Sequence, residues 1–129
     1  NEREMHARYE VGLEQYIAHI NIEAETAADI ARTMLLPAAL RYLAVIQQSG
    51  VAGAIGDVKP LVEDFVSAVN QLAKANAVHP EKVEDEVFYM RDTVIPAMNG
   101  VRLLADRLER IVADDLWPLP KYSEMLFIR

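Results

Sequence analysis

Two prolines sit inside long helical patterns, in passages that mirror each other. The first reads Thr33-Met34-Leu35-Leu36-Pro37-Ala38, followed by Arg41 and Leu43, and the second Thr93-Val94-Ile95-Pro96-Ala97, followed by Arg102 and Leu104. A proline in a helix interior removes one backbone donor and presses its ring on the carbonyl four residues back, here Thr33 and Asp92. A chain that keeps such a residue in two long helices is expected to fix a bend in each. The predicted fold class is therefore all-α. It is an elongated bundle of three long helices, the first and third kinked at Pro37 and Pro96, ending in an extended apolar C-terminal tail.

Hydrophobic periodicity sets the helices. The first is predicted over about 2–48, with an apolar stripe of Leu13, Ile17, Ile20, Ala24, Ala27, Ala31, Met34 and Ala38. Its steps alternate four and three, the period of one helix face packed on others. Tyr9 and Tyr16 widen the stripe, and after Pro37 it slips toward Tyr42, Val45 and Ile46. Ser49-Gly50 ends this helix, and the glycines up to Gly56 read as a loop. Asp57 is the expected N-cap of a second helix over 58–78, with Val58, Val62, Phe65, Val69 and Leu72 on its inner face.

A third helix is predicted over 80–115. Pro80 suits its first turn, and Glu81, Glu84, Asp85 and Glu86 crowd the positive end of its dipole. Its stripe is Val83, Val87, Met90, Val94, Ala97, Val101, Leu104, Leu108 and Ile111, running through Pro96 and Asn99-Gly100 without losing phase. From Leu116 the tail over 116–129 is extended, because residues before Pro118 and Pro120 are pushed out of the helical region. At 1.5 Å per residue the three helices span about 70, 30 and 50 Å. With the prolines at one level, the first helix from Glu2 to about Ile20 projects beyond the other two. That stretch is apolar on one face, so it is expected to meet a partner.

Composition narrows the function. The chain of 129 residues carries 13 Lys+Arg against 20 Asp+Glu, a net charge of −7, and no cysteine. An acidic chain without a basic cluster is not expected to bind nucleic acid, which needs cations to displace counterions. The longest apolar run, Met34 to Leu40, is too short to span a bilayer. The absence of cysteine removes any disulfide framework and suits a reducing cytosol. The chain begins at Asn1 with charged residues crowding its first positions, and reads as a piece of something longer. It is expected to form one helical domain over 1–129.

A search for chemistry finds little. The histidines are His6, His19 and His79, and none follows a glutamate at the three-residue spacing of di-iron bundles. His19 and Glu23, four apart, have the spacing to share a metal, but also that of a solvated pair at the border of the stripe. The glycines of 50–56 lack the lysine and the preceding strand of a phosphate loop. Ser49, Ser67 and Ser123 have no assignable base. Arg41, Arg91 and Arg102 lie near the stripes, to pair with carboxylates or freed carbonyls at the bends, or to snorkel to water. No catalytic, cofactor-binding or metal-binding residue is assigned. The candidate interface residues are Tyr9, Leu13, Tyr16, Trp117, Tyr122, Leu126 and Phe127.

Several motifs together resemble one family. They are Arg8-Tyr9-Glu10, Leu13-Glu14-Gln15-Tyr16, Ile20-Asn21-Ile22-Glu23-Ala24-Glu25-Thr26 and Leu36-Pro37-Ala38 in the first half. In the second they are Tyr89-Met90-Arg91-Asp92-Thr93-Val94-Ile95-Pro96-Ala97-Met98, Leu103-Leu104-Ala105-Asp106 and Leu116-Trp117-Pro118-Leu119-Pro120-Lys121-Tyr122. In this order they resemble the C-terminal region of type III glutamine synthetases, least so over 50–82. The resemblance implies a parent that is an ATP-dependent glutamate–ammonia ligase using Mg2+ or Mn2+. It also implies a cytoplasmic homo-oligomer of stacked rings. The catalytic residues of such a parent would lie upstream of Asn1, so none is carried onto this chain. What carries over is a helical accessory and assembly domain, inactive alone, packed on the catalytic domain of its own chain or on neighbouring subunits. The alternatives are a free-standing helical protein–protein interaction module and a metal-binding bundle.

Overall fold

The computed structural model describes residues 1–121. Among them all regular structure is helical, with no strand. Helix α1 (Glu2–Ile30) runs through a π-turn (Ala31–Leu35) into α2 (Leu36–Ser49), making one continuous rod. Helix α3 (Ala52–Asn76) returns along it. Helix α4 (Val83–Tyr89) passes through a second π-turn (Met90–Val94) into α5 (Ile95–Ile111), the third rod.

Both prolines are met by the same device. Pro37 and Pro96 are each the second residue after a π-turn. The Leu36 amide donates to the carbonyl of Ala31, and the Ile95 amide to that of Met90, each five residues back. The wider ring of a π-turn accommodates a residue that has no amide to give. Within the first turn, the Thr33 hydroxyl donates to the Asp29 carbonyl at 2.6 Å.

The π-turns also move the buried face. An extra residue per turn rotates the helix downstream of it, so Leu35, not Met34, enters the core, and Met34 is 37% exposed. Past the second π-turn, Met98 and Val112 take the buried positions that an unbroken stripe gives to Ala97 and Ile111, while Val101 and Leu108 keep theirs. The stripe of α3 is interrupted by no π-turn, and Val58, Val62, Phe65, Val69 and Leu72 are all buried as predicted.

Helix limits differ from the sequence expectation at three places. Helix α3 starts at Ala52, not 58, with Val51 in extended geometry ahead of it. Of the glycines that suggested a loop, only Gly50 has a positive φ, 73°, and it closes α2; Gly53 and Gly56 lie within α3. Pro60 is consequently inside a helix as well. The third rod starts at Val83, not at Pro80, because Lys82 is still extended. It stops at Ile111, where Val112 turns extended with ψ 137°.

The core combines a small face with large neighbours. The first rod offers Ala24, Ala28, Ala31, Ala38 and Ala39, all buried. Alanines let α3 and the third rod approach closely, and Phe65, Leu72, Met90 and Leu108 fill the space with at most 2% exposure each. Polar ties bind the layers. Tyr89 Oη donates to the Ala75 carbonyl at 2.7 Å, and Arg32 Nη2 to Asn70 Oδ1 at 3.3 Å. Asn76 Nδ2, at the last residue of α3, reaches the Asn21 carbonyl at 3.4 Å. That contact marks how far up α1 helix α3 reaches.

Candidate interaction surface

The N-terminal part of α1 is an arm without a neighbour among the described residues. Asn1 caps it, its side-chain oxygen accepting from the Arg3 amide at 2.8 Å and the Glu4 amide at 3.3 Å. Every residue of 1–12 is exposed, and the first buried side chain is Ile17. Yet the arm continues the bundle's apolar seam. Leu13 is half-buried at its base, Tyr16 is 37% exposed, and Tyr9 and Met5 stand open at 56% and 69%. The predicted overhang of the first helix is present, and the bundle begins at Ile17.

The base of the arm holds a group that periodicity did not single out as an interface. Phe88, on α4, is 51% exposed, and the Arg91 guanidinium lies 5.0 Å from its ring centroid. Arg91 Nε also bonds Asp92 Oδ1 at 2.8 Å. That hydrogen bond, reinforced by the charge and by the nearby Tyr16, raises the Arg91 pKa further; in turn it holds the Asp92 carboxyl below its usual range. Tyr16, Phe88 and Arg91 thus form an aromatic and cationic cluster next to the arm. Aromatic and arginine side chains of this kind dominate interface energetics. The signal in sequence was Phe88 lying outside the stripe, a large apolar residue on an outer helix face.

The other interface candidates divide. Trp117 is 8% exposed and packed into the bundle's own core with Val112 and Leu116. It docks, but on its own chain. The turn that brings it back is closed by the Leu116 and Trp117 amides, which bond the Ala113 carbonyl at 3.0 and 3.2 Å. Lys121 secures it: buried, its ammonium reaches the Val112 carbonyl and, at 2.7 Å, Asp114 Oδ1. Cations are favoured at such helix C-terminal carbonyls, but Lys121 in a Pro-rich stretch gave no warning of this role. Tyr122, Leu126 and Phe127, with the rest of the predicted apolar tail past Lys121, lie outside the described residues.

The histidines all pair with glutamates. His6–Glu10 measures 3.1 Å, His19–Glu23 3.3 Å and His79–Glu86 2.8 Å. The His19–Glu23 pair is solvated, and among the described residues no three His, Asp or Glu side chains gather as metal ligands. Arg102 turns back to Met98 Sδ at 3.8 Å, and Arg41 is exposed. No helix among the described residues is long and apolar enough to cross a membrane.

The class that the described residues define is an all-helical bundle with an exposed apolar arm. Comparison with known proteins shows what the chain is similar to. Residues 1–52 match the family model of the glutamine synthetase C-terminal domain. The chain is 30% identical to a type-3 glutamine synthetase of Dictyostelium discoideum over 98% of its own length. It is also 30% identical to a glutamine synthetase of Bacteroides fragilis over 100% of its length. It spans 20% of the length of each of these relatives. The resemblance to the C-terminal domain of type III glutamine synthetases is thereby shown, and it extends past the matched 52 residues to nearly the whole chain.

Proposed function

We propose that this chain is an accessory and assembly domain of a type III glutamine synthetase, inactive by itself. The parent would ligate ammonia to glutamate at the expense of ATP, with Mg2+ or Mn2+, in the cytoplasm. ATP and metal would be held by a catalytic body outside these 129 residues. The domain's contribution would be positional: it would pack on the catalytic domain of its own chain, or on a neighbouring subunit within a homo-oligomer of stacked rings. The pair of proline-linked π-turns would set bends in the two longer rods and so fix the direction of the arm.

One observation carries this reading. Helix α1 extends four turns past Ile17 with Tyr9 and Leu13 on the seam that the bundle buries further down. Completing the burial of Tyr9 and of the half-buried Leu13 would stabilise a contact by up to about 1.5–3 kcal/mol each, which a solvated arm forgoes. The experiment is twofold. The isolated chain is assayed for glutamine formation from ATP, glutamate and ammonia, and no turnover above background is expected. Tyr9→Ala with Leu13→Ala is then placed in a full-length parent and its assembly followed by sedimentation velocity. Loss of the large assembly supports the reading; turnover by the isolated chain, or an unaltered assembly, refutes it.

A further inference from the structure

We propose that the groove between α2, α3 and α5 binds a small zwitterion with an apolar side chain, in chemical class an apolar α-amino acid. This site is separate from the arm and does not depend on the packing role. The groove is open to solvent and offers about 530 Å3, within the volume range of small-molecule sites. Its floor is apolar, formed by Val58 and Leu61 of α3 and the ring of Tyr42 of α2.

Three charged side chains stand around that floor: Asp57 on α3, and Arg107 and Arg110 on α5. None of the three has a hydrogen bond or ion pair with another described residue. Arg107 and Arg110, three residues apart, are neighbours on one helix face. Two guanidinium groups on one wall match a carboxylate, which arginine binds through paired N–H donors. Asp57, on the other helix, matches an ammonium group. The two signs beside an apolar floor describe a ligand bearing a carboxylate, an amine and a hydrocarbon body. A simple fatty acid leaves Asp57 without a partner, and a simple amine leaves the arginines without one. Because all three charged residues are solvent-exposed, binding is expected to weaken as salt rises.

The test uses the 129-residue chain with L-leucine as probe, followed by two-dimensional NMR. Isovalerate, which lacks the amine, and isoamylamine, which lacks the carboxylate, are titrated in parallel. Leucine is expected to saturate with shifts confined to the groove, and either analogue to bind about tenfold more weakly or less. Arg107→Gln with Arg110→Gln should weaken leucine by about tenfold or more, and Asp57→Asn should erase the preference for leucine over isovalerate. Helicity by circular dichroism certifies the fold of each variant, and Tyr9→Ala should leave leucine binding unchanged. Absence of saturable leucine binding overturns the proposal. So does equal binding of isovalerate, or unaltered binding by the folded arginine double variant.

Discussion

The Leu36 amide bonds the carbonyl of Ala31, five residues back, one position before Pro37. The equivalent bond from Ile95 to Met90 precedes Pro96. Each proline forbids the α-helical bond to the carbonyl four residues behind it, and each π-turn supplies a geometry that does not need that bond. The resulting rotation puts Leu35 and Met98 into the core.

Replacing Pro96 with Ala restores an amide and lets the turn revert to α geometry. Reversion rotates α5 against α3 and draws Met98 and Val112 from their buried positions. Pro96→Ala is expected to lower unfolding free energy by about 1–2 kcal/mol in urea denaturation and to loosen amide protection around Met98. Unchanged stability with an unchanged π-turn would show that the core, not the proline, holds that geometry.

Phe65 is the largest fully buried side chain and belongs to the core cluster to which all three rods contribute. Phe65→Ala leaves a cavity that rigid helices close only in part. The expected cost is about 3–5 kcal/mol in chemical denaturation. Phe65→Leu should cost much less.

Much of this is legible in the sequence, and the misses share physical causes. The α3 face, Val58 through Leu72, comes from period alone because nothing in that stretch changes the helix pitch. Periodicity points Met34 and Ala97 inward because a proline announces a break in hydrogen bonding but not the extra residue that absorbs it. Gly53 and Gly56 suggest a loop through propensity, which costs only about 1 kcal/mol per glycine and yields to the packing of Ala54 and Ile55 on the core. The arm is legible from helix lengths. The Tyr16, Phe88 and Arg91 cluster is not, since it joins helices far apart in sequence. Lys121 is hidden too, because its value depends on where α5 stops.

Trp117 is the chain's single tryptophan and is 8% exposed. Its fluorescence should therefore be blue-shifted relative to tryptophan in water. Lys121→Ala removes the ammonium that holds the turn to the Val112 carbonyl and Asp114. The emission should move to the red and become accessible to iodide quenching. An emission maximum unmoved by the substitution would mean that Trp117 docks without help from Lys121.

The Arg91 hydrogen bond depresses the Asp92 pKa. A carboxylate with a folded pKa below its unfolded one contributes stability above the unfolded value, and loses it as pH falls through the folded one. The pair is fully exposed, so this contribution is small. The shift itself is measurable: NMR titration of Asp92 should give a midpoint below the ordinary aspartate value, and Arg91→Gln should move it up. A midpoint unaffected by Arg91→Gln would mean the pair does not persist in solution.

Hydrogen–deuterium exchange over 2–16 measures the role of the arm most directly, comparing the isolated chain with the same segment in a full-length type III glutamine synthetase. In the isolated chain these amides should exchange rapidly while those of 62–72 stay protected, since the arm has no packed neighbour among the described residues and α3 is buried. In the assembled enzyme the 2–16 amides should slow by about tenfold or more. Equal exchange in both settings would contradict a packing role for the arm.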